Sequence, residues 1–288
     1  MIDRIRAQIE KTTGPFIDVT PVTERRGSTV WKAVAVYGVY AVKAGYGEGE
    51  EITAREASVL DRLPGYSVTS GRFEGGGWYV TPWLRGPSTW GLFAPVRESG
   101  VGHGRALRGA VGLCRAVAEL HAAGWVHCDL QPAHAVHTDQ GVRLLDLSWA
   151  WHPGFEQHPA FMGGMTHLVA PELAASIQAG VRPVKPTEAA EVYALAGTLW
   201  TCITGGWPLD YATAGINPQE SGPDVLRTAI ATGGIPLASS DLWPAFQEVL
   251  RTVLLASAEV RPTAAALAGI LESTAPPKGV CQSQGGSD

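Results

Sequence analysis

The run GWVHCDLQPAHAVHTDQGVRLLDLSWA, Gly124 to Ala150, constrains this chain more than any other segment. Short apolar runs separated by turn residues fold back as a hairpin. This one carries Asp129 near one end and Asp146 near the other. Closing the hairpin brings the two carboxylates toward one point. One can then face a substrate hydroxyl while the other holds a hard cation on a nucleotide's phosphates, since such cations take oxygen ligands. Phosphoryl transfer is the expectation that follows.

Composition narrows the setting. With 288 residues, 45% hydrophobic content and ten tryptophans, the chain can bury one large core or two modest ones joined by a hinge. A net charge of -5 and a pI near 5.9, with lysines and arginines scattered, leave no footprint for nucleic acid. Four cysteines without a CxxC pair suit a reducing, cytoplasmic setting. The first residues, MIDRIRAQIEKTTG, alternate charge with Ile2, Ile5 and Ile9 at helical spacing, which predicts a short docking helix rather than a signal peptide. Val192 to Ile203 is too short to cross a bilayer, so it reads as a buried central helix and no membrane partner is expected. Residues 275–288, rich in Pro, Gly, Ser and Gln, read as a disordered tail.

Periodicity predicts an α+β chain in two parts. From Phe16 to Ala44, PFIDVTPV, STVWKAVAVY and VYAVKAG read as antiparallel strands, followed by the helix EITAREASVLDRL and a strand pair around Tyr66–Phe73 and Gly77–Leu84. Residues 1–84 are therefore a small strand-rich lobe with one main helix. Residues 85–274 form a mainly helical lobe. It has a long helix through GRALRGAVGLCRAVAELHAAG, then the hairpin and an irregular stretch, then helices near Glu188–Thr204, Pro223–Thr232, Leu242–Ser257 and Thr263–Ser273. The polar residues fall near the join, which puts the site in the cleft between the lobes.

The hairpin resembles the protein-kinase fold, whose catalytic loop reads H-R-D-L-x-x-x-N and whose metal-binding turn reads D-F-G. Here those places read His127-Cys128-Asp129-Leu130-Gln131-Pro132-Ala133-His134 and Asp146-Leu147-Ser148. Lys43 in YAVKAG matches the family's strand lysine. Glu56 is preferred over Glu48, Glu50 and Glu51 as its partner because its helical register sets Val59 and Leu60 on the inner face. Ala170-Pro171-Glu172 matches A-P-E, and Arg261 matches the late arginine that pairs with that glutamate. Glu191 stands where an aspartate normally braces the catalytic loop. The resemblance implies a bilobed kinase-like fold, with Lys43 and Glu56 on the nucleotide, Asp129 on the acceptor hydroxyl, and Asp146 and His134 on Mg²⁺.

Several positions depart from the pattern. The glycine-rich loop is reduced to Gly27, Ser28 and Thr29, with Arg25 and Arg26 beside them; backbone N–H groups and the two hydroxyls are expected to hold the phosphates. His134 replaces the metal-binding asparagine, and an imidazole suits Mg²⁺ less well than oxygen does. A zinc site built from Cys128, His134 and His137 is disfavoured because hairpin neighbours point to opposite faces. Gln131 replaces the catalytic-loop lysine, and Met165 falls where a threonine braces the loop. Cys128 replaces an arginine that receives activation-loop phosphate in many kinases, and residues 150–165 contain no Ser, Thr or Tyr. No switching by phosphorylation of that loop is expected.

The resemblance implies ATP and Mg²⁺ as cofactors and a Ser/Thr-containing peptide or protein as acceptor. The loop GWVHCDLQPAHAV is also similar to stand-alone kinase-like proteins of lanthipeptide pathways, including class V. That implies a precursor peptide as substrate and a separate phosphate lyase as partner. Two other readings compete: a pseudokinase that binds a leader peptide or scaffolds a partner enzyme, and a small-molecule phosphotransferase.

Overall fold

The structure, a computed structural model, describes residues 2–25 and 27–274. Arg26 and the tail expected over 275–288 lie outside the described residues. The chain is mixed α+β, with an antiparallel sheet near its N-terminus and helices through most of the remainder.

Strands β1 (Phe16–Arg25), β2 (Ser28–Ala35), β3 (Gly38–Tyr46), β4 (Thr69–Phe73) and β5 (Gly76–Pro82) form one five-stranded sheet in the order β1-β2-β3-β5-β4. Side chains alternate faces along a strand, so register decides what each one meets. Lys43 stands opposite Val30 on one side and Tyr79 on the other, while their neighbours Trp31, Val42, Ala44, Trp78 and Val80 point the opposite way. That second face is covered by α1 (Ile2–Thr13), whose Ile5 and Ile9 are fully buried on it. The Trp78 indole N–H donates to Gln8 Oε1 at 2.8 Å, so its polar edge is satisfied as well.

The face bearing Lys43 meets α2 (Glu48–Arg62), whose first turn holds Glu48, Glu50 and Glu51 at the positive end of the helix dipole. Ala57, Val59 and Leu60 of α2 belong to the same apolar cluster as the helical part of the molecule. The helix that carries Glu56 is thus packed between the sheet and the larger lobe.

The helical part contains α3 (Thr89–Leu92), α4 (Ala94–Ser99), α5 (His103–Ala122), the hairpin β6 (Ala135–Thr138) and β7 (Gly141–Leu144), α6 (Pro171–Gln178), α7 (Glu188–Thr204), α8 (Pro223–Ala231), α9 (Pro244–Leu255) and α10 (Ala264–Ser273). At its centre α7 buries Leu195, Leu199, Trp200 and Ile203. Thr187 caps it by accepting from the Ala190 amide, and Gly205 ends it in the left-handed conformation. Proline occupies the first turn of α6, α8 and α9, where its missing N–H costs nothing. The stretch between the hairpin and α7, expected to be irregular, contains α6. No helix among the described residues is long and apolar enough to cross a membrane.

Candidate active site

Lys43 Nζ lies 2.5 Å from Glu56 Oε2 and 3.7 Å from Asp146 Oδ1. Burial alone would lower the lysine pKa, but the two carboxylates outweigh it and raise it above 10.5, so the ammonium stays charged. Glu56 uses its other oxygen to accept from the Leu147 amide at 3.1 Å. One glutamate therefore fixes both the strand lysine and the turn after Asp146. Glu48, Glu50 and Glu51 have no contact with Lys43.

Asp146 sits in the left-handed region, φ 56°, just beyond β7. An aspartate tolerates that conformation better than bulkier residues do. Burial pushes its carboxyl pKa up, but Lys43 and His134 beside it pull harder and hold it below 3.8. Cys128, next to Asp129, is also left-handed at φ 71°. Strained non-glycine residues of this kind gather where surrounding structure holds them for function.

The loop between them is tied at several atoms. His127 is fully buried and accepts from the Asp129 amide at Nδ1, 3.2 Å, so Nε2 carries the proton and donates to Leu145 O at 2.9 Å. Burial holds this imidazole neutral. One ring thus links the residue before Asp146 to the residue after Cys128. His134 Nδ1 donates to the Asp129 carbonyl at 2.8 Å, and its Nε2 lies 3.6 Å from Asp146 Oδ2. Gln131 Nε2 donates to Asp129 Oδ1 at 2.9 Å. A Cβ on Gly164, φ 70°, would stand 2.4 Å from Cys128 O and 3.0 Å from Asp129 Oδ1, so only glycine fits against that carboxylate.

Asp129, His134 and Asp146 offer ligand atoms all within 4.8 Å of one another. Their donor set, two carboxylates and one imidazole, fits a divalent cation. The oxygens suit Mg²⁺, and the nitrogen favours Mn²⁺ over it. Cys128 and His137 lie outside this cluster; His137 Nε2 contacts Thr89 Oγ1 at 2.9 Å instead.

The β1–β2 turn corrects one expectation. Thr29 is buried on the face it shares with Trp31 and Ala44, away from Lys43, because β2 pairs Val30 and not Thr29 with the lysine. Its hydroxyl therefore cannot serve phosphates in the cleft. Ser28 lies on the Lys43 side and donates to Arg25 O at 3.1 Å. Gly27, φ 72°, accepts from the Tyr46 amide at 2.8 Å, and a Cβ there would meet Tyr46 O at 2.8 Å. The turn is packed onto the end of β3.

Glu191 on α7 accepts from the Cys128 amide at 2.8 Å and from His121 Nε2 at 2.6 Å. Arg261 makes a two-pronged pair with Glu172, 2.7 and 3.3 Å, and donates to Ala189 O and Ala256 O. Thr198 donates to Leu130 O at 3.3 Å, a second link from α7 to the loop that carries Asp129.

No protein-family profile matches the chain. Over 202 residues, 68% of its length, it is 28% identical to the serine/threonine-protein kinase AfsK of Streptomyces griseus. Over 151 residues, 51% of its length, it is 31% identical to the Thermomonospora curvata protein named "Probable serine/threonine-protein kinase PkwA". The fold is protein-kinase-like. The chain spans only about a fifth of the length of these curated relatives, 22% and 19% respectively.

His121, Arg55 and Gln157 are absent from the sequence reading. His121 lies three residues before the helix-ending Gly124, with no motif around it. Arg55 immediately precedes Glu56, so its signal is a charge beside a charge, which a surface helix shows often.

Proposed function

We propose that this chain transfers the γ-phosphoryl group of ATP to a Ser or Thr hydroxyl of a peptide or protein. The observation that carries this reading is the meeting of Asp129, His134 and Asp146 beside the Lys43–Glu56 pair. A module that only binds would not need a charged lysine, two carboxylates and an imidazole in one cleft.

In this reading Asp129 accepts a hydrogen bond from the acceptor hydroxyl and takes its proton as the oxygen attacks γ-phosphorus. The bond from γ-phosphorus to the bridging oxygen breaks, and its electron pair leaves with ADP. Lys43 places its charge on the α- and β-phosphates, and Glu56 holds it there. Asp146 and His134 Nε2 are the residues that would hold a divalent cation, which supplies neutralisation of phosphate charge when bound. Gln131 brings no charge to the transferring group, so this cleft has one cation fewer than a catalytic-loop lysine would give. Catalysis is then positioning and electrostatics.

The acceptor we favour is a precursor peptide whose phosphorylated residues lose phosphate on a separate lyase. The similarity of GWVHCDLQPAHAV to lanthipeptide kinase-like proteins supports that choice. Incubation with ATP, Mg²⁺ or Mn²⁺ and Ser/Thr peptides, beside Asp129→Asn and Asp146→Asn, tests the reaction. Transfer abolished in both variants supports it; ATP-independent peptide binding without transfer would point to the scaffold reading.

A further inference from the structure

Arg55 of α2 reaches across to the segment after Asp146 and is held there by neutral oxygens alone. Its Nε donates to Ser148 O at 3.0 Å, one terminal nitrogen to Glu156 O at 2.7 Å, and the other to Ala150 O at 2.8 Å and Gln157 Oε1 at 3.2 Å. The guanidinium carbon lies 4.5 Å from the centre of the Phe155 ring. Among the described residues no carboxylate forms an ion pair with it. Four of five N–H groups are thereby used on one short stretch of chain, a pattern that needs the planar fork of arginine.

Gln157 completes the arrangement. It is buried, and its Nε2 donates to Trp149 O at 3.3 Å and lies 4.0 Å from Cys128 Sγ. Its Oε1 accepts from both Arg55 and the His158 amide. A neutral amide thus bridges α2, the segment and the residue before Asp129. No hydroxyl between residues 150 and 165 is available to carry a phosphate there.

We propose that Arg55 and Gln157 are positioning residues that keep the Ser148–Gln157 segment and α2 docked without any covalent modification. Glu56, one residue on, is bound to Lys43 and to the Leu147 amide. Outward movement of α2 therefore breaks the lysine pair and the four Arg55 bonds together. The clamp stands on this geometry; only its catalytic consequence rests on the phosphoryl-transfer reading.

Hydrogen–deuterium exchange on the full chain tests it, with the intact mass confirming zero phosphates. In the unmodified protein the amides of residues 147–157 should be protected. In Arg55→Met and in Arg55→Lys they should exchange about tenfold faster or more, while α7 stays protected. Lysine keeps the charge but not the fork, so its failure to rescue separates geometry from electrostatics. Gln157→Ala should loosen the same segment to a smaller degree and covers the case in which an Arg55 variant does not fold. With transfer activity in hand, Arg55→Lys should lower kcat about tenfold and leave the ATP KM within about twofold. Unchanged exchange in Arg55→Met, or a wild-type segment that becomes protected only after phosphorylation, would overturn the clamp. Lost protection in a protein that transfers phosphate to nothing would sustain the clamp and remove the kinase reading.

Discussion

The amide of Cys128 donates to Glu191 Oε1 at 2.8 Å, joining the loop that carries Asp129 to the first turn of α7. The second oxygen of that carboxylate holds His121 of α5 at 2.6 Å. A glutamate stands where the kinase pattern uses an aspartate, and its two oxygens hold one partner each.

Replacing Glu191 with Ala strands a buried amide and a buried imidazole, at a cost of about 1–3 kcal/mol. Glu191→Asp should recover only part of this, because the shorter arm cannot meet both partners. Urea unfolding of the two variants measures the difference. Equal stability of wild type and Glu191→Ala would remove the bracing role.

Arg261 is almost wholly buried, with 1% of its side chain exposed, whereas Glu172 is 35% exposed. Arg261→Ala should therefore destabilise the chain by about 3 kcal/mol, the low end for a broken buried pair, because water reaches the glutamate left behind. Arg261→Lys should lose most of the same amount, since an ammonium cannot also reach Ala189 O and Ala256 O. Thermal or urea unfolding midpoints check both.

Asp129→Asn keeps the size of the side chain and removes its capacity to take a proton. Under the proposed reaction kcat should fall by about 10² to 10⁴, with the ATP KM little changed. Steady-state transfer to a Ser/Thr peptide reads this directly, and a variant that retains wild-type kcat would sink the role given to Asp129.

His134 directs Nε2 toward Asp146 Oδ2 at 3.6 Å, and nitrogen donors favour Mn²⁺ over Mg²⁺. Titrating each ion alone into the ADP-bound protein, followed by thermal shift, should show preference for Mn²⁺. In His134→Asn that preference should shrink roughly tenfold. Identical ion ratios in the two proteins would show that the imidazole does not ligate.

His137 offers a pH test away from the cleft. Burial, with Arg105 adding to it, lowers its pKa from 6.5 to about 4. Between those values the unfolded chain binds the proton and the folded chain does not, so stability falls as pH drops through this window and levels off below it. The unfolding midpoint of wild type should fall more steeply from pH 7 to pH 4.5 than that of His137→Gln. Parallel curves would contradict the half-buried neutral imidazole.

Much of this architecture is legible in the sequence because its signals are local. Short runs of β-branched and aromatic residues, STVWKAVAVY and VYAVKAG, mark strands, and the helix over Glu188–Thr204 announces itself with a Thr cap, an apolar run and a closing glycine. Lys43, Asp129, His134 and Asp146 stand in short motifs, so their neighbourhood can be anticipated. The face of Thr29 cannot, since it depends on how β2 pairs with β3 across a turn. Helix α6 is hidden because Pro171 and Glu172 read first as a motif and only then as a helical first turn. Arg55 binds residues about a hundred positions away, and nothing local to it marks carbonyl oxygens as its partners.

Helix α1 bears on how the protein is handled. A version trimmed to start at Phe16 would leave Trp31, Val42, Trp78 and Val80 bare across the back of the sheet. Such a continuous greasy surface seeks another surface like itself. The shortened chain should self-associate and precipitate while its cleft residues remain untouched, so a failed preparation would say nothing about chemistry.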